Sequence, residues 1–151
     1  MKLSIKAVLI GWAVDLAGSL ILGLPIGIMV GVSVARGVKP EQIAARIANS
    51  PVEEIGLLLG LVMSILAGWV AANIARRHPI SHGAATGLLS FASYWLINLM
   101  SGAAALSSGY DLAATLLTIP CATLGGYLRG KKRDKEIGSM HGSAAPPIPE
   151  P

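Results

Sequence analysis

The dominant pattern in this chain is a small or polar residue at every fourth position of one long apolar run, residues 7–35. These positions are Ala7, Gly11, Asp15, Ser19, Gly23, Gly27, Gly31 and Ala35. Because an α-helix turns by about 100° per residue, a step of four residues drifts by only about 40°, and the positions form one slowly winding stripe. Small side chains allow a second helix to approach closely in lipid. The pattern therefore predicts a first helix over residues 5–35 that packs through this stripe.

The same rhythm recurs in the next apolar run, at Gly56, Gly60, Ser64, Gly68 and Ala72. Two consecutive helices with matching stripes are expected to pack against each other. The predicted packing positions are Gly11, Gly23, Gly27, Gly31, Gly56, Gly60, Ser64 and Gly68. Pro25 is expected to bend the first helix, since its ring crowds the carbonyl four residues earlier.

Four apolar runs are long enough, or nearly long enough, to cross a bilayer, which takes roughly 20 residues. The predicted spans cover residues 5–35, 52–76, 82–106 and 111–129. We therefore predict an all-α integral membrane protein with four transmembrane helices in an antiparallel bundle, forming one domain over residues 1–137. The proline-rich residues 138–151 are predicted to be a disordered cytoplasmic tail.

The loop between the first two spans predicts one further helix. Ile43 and Ile47 share a helical face, so residues 38–48 are expected to form a short amphipathic helix on the membrane surface. The segment Ser50-Pro51-Val52-Glu53 follows the capping-box pattern. Its serine would be the N-cap, its proline the first helical residue, and its glutamate would reach back to the serine.

The composition agrees with a membrane protein. Only 13% of the residues are charged and 53% are hydrophobic, whereas soluble domains carry about 25% charged residues. The first apolar run is roughly twice as long as the 7–15 residues of a secretory signal, so we expect it to remain uncleaved. The single cysteine, Cys121, provides no disulfide framework.

The basic residues lie at the predicted membrane edges. Two lie at the N-terminus, two at the turn between the second and third spans, five over residues 129–135, and three in the first loop. By the positive-inside rule both termini face the cytoplasm, and we expect the chain in the bacterial inner membrane. The predicted contacts with lipid headgroups, including anionic ones, are Arg76, Arg77, Arg129, Lys131, Lys132 and Arg133. No nucleic-acid partner is expected.

Asp15 is the one ionisable residue well inside a predicted span, where a charged aspartate costs about 2.5–3.5 kcal/mol. Two interpretations of it stay open. As a functional residue it would form a proton or cation site with Ser19, facing Tyr94 and Asn98. As a structural residue it would hold the bundle together by hydrogen bonds, to Asn98, Tyr94 or Asn73.

The third span carries a polar stripe that could serve either interpretation. Its members, spaced four residues apart, are Thr86, Ser90, Tyr94 and Asn98. In a transporter this stripe would line a cavity opposite Asp15. In a structural bundle it would supply hydrogen bonds between helices.

Sequence motifs of enzymes are missing from the chain. It contains no His-Glu-x-x-His zinc motif, no Gly-x-Ser-x-Gly nucleophile elbow and no Walker A loop. His78 and His82 flank a prolyl turn with no cysteine or carboxylate nearby to complete a metal site. We therefore expect no enzymatic activity, no cofactor and no bound metal.

Residues 13–19, Ala-Val-Asp-Leu-Ala-Gly-Ser, resemble the first helix of the small multidrug-resistance exporters, which carries an acidic residue followed by a glycine and a small hydroxyl residue. The resemblance implies a dimer of four-helix subunits in which Asp15 binds protons and cationic substrates in turn. It covers seven residues. In that family the acid is normally glutamate, and the aromatic–glycine pattern of its third span is not found here.

Two functional hypotheses follow. The first is a non-enzymatic membrane protein that acts by helix association, as a homo-oligomer or as an accessory subunit of a larger membrane complex. The alternative is a small proton- or cation-coupled transporter that uses Asp15.

Overall fold

Five helices make up the chain as far as its structure is described. The computed structural model describes residues 3–48, 51–100 and 109–142. The helices are α1 (Ile5–Ala35), α2 (Pro40–Ala48), α3 (Val52–Ala75), α4 (Pro79–Met100) and α5 (Gly109–Gly142). These residues contain no strand, and the predicted all-α class is confirmed.

The first two helices follow the sequence prediction closely. α1 covers the predicted residues and continues through Pro25 without a break. α2 lies within the predicted residues 38–48, and its Ile43 is buried. The side chain of Ile47, the second residue of the predicted apolar face, lies outside the part of the chain that the structure describes.

The start of α3 differs from the predicted capping box by one residue. α3 begins at Val52, and Pro51 occupies the N-cap position instead of the first helical position. Proline has no N–H and a fixed φ, so it fits the N-cap as well as the first turn, and assignments of helix ends vary by a residue or two. The predicted cap residue Ser50 and the side chain of Glu53 lie outside the described residues.

The last two helices extend beyond their predicted bounds. α4 begins at Pro79, before the predicted start at residue 82, since proline suits the first helical position. The predicted end of this span, residues 101–106, lies outside the described residues. α5 continues past the predicted end at residue 129 as far as Gly142. The basic segment is rich in helix-forming lysine, arginine and glutamate. The predicted tail is therefore helical over residues 138–142, and residues 143–151 are not described.

Two of the described helices could cross a membrane by length and composition, namely Ile5–Ala35 and Glu54–Ala75. The most apolar stretch of α1 has none of its residues buried within the chain, and that of α3 only 28%. A core helix of a soluble protein would be mostly buried. α4 and α5 fall short of the same test within their described residues, because α4 carries several polar side chains and the second half of α5 is charged.

The contacts between α1 and α3 run in opposite directions along the two helices. Gly11 of α1 lies against Ala67 of α3, and Gly18 lies further back along α3 against Met63. Contacts between α4 and α5 also run in opposite directions, because Gly83 lies against Gly126 and Gly87 against Ile119. Each helix of these pairs follows its partner along much of its length.

The tightest packing lies where α3 and α5 cross. A Cβ atom added at Gly68 would fall on the carbonyl group of Ala122, and one added at Gly125 would fall on the carbonyl oxygen of Ile65. Only glycine allows the two backbones to come this close. The backbones of α3 and α5 are therefore in direct contact in the second half of α3.

The predicted stripe of packing glycines therefore divides into two groups. Gly11 and Gly68 lie in close backbone contact, and Ser64 is buried. Gly56 meets only Ile26 Cδ1, at 4.0 Å, and Gly23, Gly27, Gly31 and Gly60 have no atom within 4 Å of an added Cβ. The expected packing of α1 against α3 over the whole stripe is thus not found within one chain. Beyond Gly18 the contact between the two helices runs through Ile26 and Gly56, and not through the glycines of α1.

Candidate functional site

A cavity of about 320 Å³ lies among α1, α3, α4 and α5. Most of its lining area is apolar, although eight of the 14 lining residues carry a hydroxyl or carboxylate group. The lining residues are Trp12, Asp15, Leu16, Ser19, Leu57, Gly60, Leu61, Ser64, Ser90, Ser93, Tyr94, Ile97, Thr115 and Thr118. No basic side chain belongs to this described lining.

Asp15 lies within the contact between α1 and α3, at the wall of the cavity. It is only 7% exposed, and the hydroxyl group of Ser64 donates a hydrogen bond to its Oδ1 atom at 3.1 Å. Gly11 and Gly18 hold α1 against α3 on either side of this pair. A shielded aspartate is thereby kept beside a polar partner, with the cavity on its other side.

Three of the four residues predicted to form the Asp15 site lie together. Asp15, Ser19 and Tyr94 all line the cavity. Asn98 belongs to α4, but its side chain lies outside the part that the structure describes. The hydrogen bond that the structure describes for Asp15 comes from Ser64 of the packing stripe, and Asn73, one of the expected partners, bonds Arg129 instead.

The polar stripe of α4 is only partly used by the cavity. Ser90 lines it, and the Ser90 hydroxyl group is shielded from solvent with no hydrogen-bond partner among the described residues. Thr86 is fully buried and donates back to the carbonyl group of His82 in its own helix. Ser90 of this stripe thus brings to the cavity a hydroxyl group that has no hydrogen-bond partner among the described residues.

Four polar or aromatic lining residues were missed by the sequence argument: Trp12, Ser93, Thr115 and Thr118. The hydroxyl groups of Ser93 and Thr118 donate to carbonyl groups of their own helices, Leu89 and Thr115. Such bonds are local and leave no periodic signal. Only the helical face shared by Trp12, Asp15 and Ser19 could have pointed to this site.

The start of α1 is attached to α4 through His82. This histidine is 1% exposed, its Nε2 atom accepts a hydrogen bond from the backbone N–H of Ser4 at 2.9 Å, and its Nδ1 atom lies 2.9 Å from the carbonyl oxygen of His78. The two contacts are satisfied together by a neutral ring with its proton on Nδ1. They fix the register of α1, and hence the place of Asp15.

The residues predicted to contact lipid headgroups lie at one end of the molecule. Four of these residues are exposed, namely Arg76, Arg77, Lys131 and Lys132. The other two, Arg129 and Arg133, are half-buried. The guanidinium group of Arg129 stands 5.9 Å from the ring centre of Trp69, within the range of a cation–π contact. The six residues thus fall into exposed cations and cations held by neighbouring helices.

Comparisons with protein-family models, with curated proteins and with solved structures each found no match to this chain. The resemblance of residues 13–19 to the small multidrug-resistance exporters accordingly remains confined to those seven residues. Function has to be argued from the cavity itself.

Proposed function

We propose that this chain is a four-span membrane protein whose central cavity binds a small organic cation at Asp15, as part of proton- or cation-coupled transport. The observation that carries the proposal is a buried carboxylate facing a cavity whose described lining holds no basic side chain. A carboxylate in an apolar environment needs a proton, a cation or strong hydrogen bonds to offset its charge. Ser64 supplies one hydrogen bond.

The lining of the cavity suits an organic cation better than a bare ion. A volume of about 320 Å³ lies at the small end of ordinary ligand pockets, which span about 300–1,000 Å³. Trp12 and Tyr94 place aromatic rings in its wall, and aromatic faces attract ammonium groups. A proton or the ligand's positive charge would then occupy Asp15 in alternation, as the resemblance to the exporters also implies.

The membrane arrangement belongs to the same proposal. The opposed contacts within the pairs α1–α3 and α4–α5 support an antiparallel bundle of four spans. The basic residues at one end support cytoplasmic termini in a bacterial inner membrane. Ser90 and Ser93 of α4 and Thr115 and Thr118 of α5 bring hydroxyl-bearing side chains to the cavity.

Binding can be measured through Trp12, which lines the cavity. In a Trp69→Phe/Trp95→Phe background this residue is the only tryptophan, and titration with tetraethylammonium is expected to change its emission in a saturable way. Asp15→Asn should weaken binding about tenfold or more, because tetraethylammonium has no N–H and is held by charge attraction to the carboxylate, of which a tenfold loss represents only about 1.4 kcal/mol.

Asp134→Asn is the matched control, because Asp134 is an exposed residue of α5. It should bind as the parent does. If Asp15→Asn and Asp134→Asn bind tetraethylammonium equally well, Asp15 is not the cation site. Proteoliposomes with an imposed pH gradient then test whether bound tetraethylammonium is also moved.

A second candidate function, helix association, is favoured by the open half of α1. Over Gly23, Gly27 and Gly31 no neighbouring atom among the described residues lies within 4 Å of an added Cβ, although small stripes are a common contact surface between helices in lipid. Association would take the form of a homo-oligomer or of an accessory subunit in a larger complex. Anionic lipids would surround its cytoplasmic edge.

Purification in mild detergent tests this second function. Either a homo-oligomer or a stoichiometric partner should be lost in Gly27→Leu, which fills the stripe. The matched control is Gly138→Leu in α5, which also has open space around it and should not change the complex. A monomeric, partner-free parent protein would exclude association as the function.

A further inference from the structure

A second cavity, of about 300 Å³, lies where α3 ends and α4 begins, against the middle of α5. Its lining includes the three arginines Arg76, Arg129 and Arg133, and no acidic side chain. Like charges at one small cavity repel one another in a partly shielded site. An anion bound between the three guanidinium groups would be attracted to each of them and would offset their mutual repulsion.

Two neighbouring side chains hold Arg129 in place, but one nitrogen atom of its guanidinium group makes no hydrogen bond within the described chain. Its Nε atom donates to Asn73 Oδ1 at 2.7 Å, and the guanidinium stands over Trp69. Its Nη1 atom is shielded from solvent and makes no hydrogen bond within the described chain, although Glu136 Oε2 lies 3.5 Å away. A shielded donor without a hydrogen bond is costly, and an anionic oxygen atom would satisfy it.

Arg133 fixes the turn that carries the third arginine. Its Nη1 atom donates to the carbonyl oxygen of Arg76. Arg76 and His78 have φ angles of 57° and 48°, a left-handed conformation that is uncommon for residues other than glycine. The contact from α5 thus holds a strained turn in the position that places Arg76 at the cavity.

The helix ends at this cavity do not determine its charge preference. The C-terminus of α3 carries a partial negative charge and the N-terminus of α4 a partial positive one. Since Arg76 ends the first and Pro79 begins the second, the two largely offset each other. Glu136, which pairs with Arg129 at 3.5 Å, offsets one of the three arginine charges, and the remaining positive charge favours anions in the cavity.

We propose that this cavity binds a phosphate group, carried either by an anionic phospholipid or by inorganic phosphate. The planar, fork-shaped donors of arginine match the oxygen atoms of phosphate, and basic pockets between membrane helices bind lipid headgroups. Such binding differs from the diffuse attraction of exposed cations such as Arg77 and Lys132, which salt screens.

Trp69 reports on this cavity because Arg129 stands over its ring. The protein carrying Trp12→Phe and Trp95→Phe is titrated in dodecyl maltoside with sodium phosphate, with dioctanoyl phosphatidylglycerol and with zwitterionic dioctanoyl phosphatidylcholine. We expect a saturable change in Trp69 emission with phosphate or phosphatidylglycerol, and about tenfold weaker binding in Arg129→Gln.

Arg76→Gln is a second variant, and it should keep the fold because Arg133 bonds the backbone carbonyl group of Arg76 and not its side chain. It should weaken binding by a similar factor, whereas the matched control Lys132→Gln should not. Saturation by both anions identifies phosphate itself as the ligand, and saturation by phosphatidylglycerol alone identifies a lipid headgroup. The proposal would be overturned if Arg76→Gln and Lys132→Gln weakened binding equally. It would also be overturned if neither phosphate nor phosphatidylglycerol gave saturable binding.

Discussion

At the scale of single residues, Asp15 is shielded by a packing contact and bonded by a residue of that same contact. Ser64 donates to its Oδ1 atom across the interface of α1 and α3. The two glycines flanking Asp15 along α1, Gly11 and Gly18, touch α3 as well. The site therefore depends on close packing on one side and on open space on the other.

Ser64→Ala is expected to destabilise the protein by about 1 kcal/mol, since hydrogen bonds between membrane helices contribute about 0.6–1.7 kcal/mol. The loss should appear as a lower unfolding midpoint in a detergent titration. Ser33→Ala is the control, because the Ser33 hydroxyl group bonds only its own helix at Met29. Equal midpoints for Ser64→Ala and the parent protein would show that the bond contributes nothing to stability.

The sequence predicted the position of Asp15 but not its partner. A four-residue period defines a helical face, and so it placed Asp15 and Ser64 on facing stripes. It carries no information on how far one helix is shifted along the other. That shift depends on contacts such as Ser4 with His82 and Gly18 with Met63, which join distant parts of the chain.

At the scale of elements, α1 has a packed half and an open half. From Ala7 to Gly18 its stripe is buried, whereas Gly23, Gly27 and Gly31 have open space around them. Periodicity predicted one uniform stripe, because composition is the same in both halves. The difference lies in the partner helix, because α3 meets Gly11 and Gly18 but not the later glycines of α1, and a period within one helix carries no information on its partner.

Gly68→Ala tests the close contact of α3 with α5. The added methyl group would fall on the Ala122 carbonyl, so we expect a loss of about 1–3 kcal/mol in stability, the usual range for overpacking. Gly60→Ala is the matched control in the same helix and has open space. It should be neutral or stabilising by up to about 1 kcal/mol, since alanine favours helices. Equal destabilisation by the two substitutions would contradict the packing described.

At the scale of the whole molecule, the two cavities lie at different levels and share α3, α4 and α5. The Asp15 cavity is completed by α1, whereas the arginine cavity lies at the turn between α3 and α4. One presents a carboxylate and the other three guanidinium groups. In a bilayer this would place a cation site within the spans and an anion site at the cytoplasmic edge.

The number of spans decides whether this arrangement holds, and impermeant maleimide labelling can count them. In a Cys121→Ser background, single cysteines are introduced by Lys39→Cys, Arg77→Cys, Ser107→Cys and Lys132→Cys. With four spans and cytoplasmic termini, Lys39→Cys and Ser107→Cys should react from outside intact cells. Arg77→Cys and Lys132→Cys should react only after permeabilisation, because each span reverses the side. If only α1 and α3 cross the membrane, Ser107→Cys would join the protected pair, and α4 and α5 would have to lie on the cytoplasmic side. The Asp15 cavity, which those helices complete, could then not lie within the bilayer, and transport through it would be excluded.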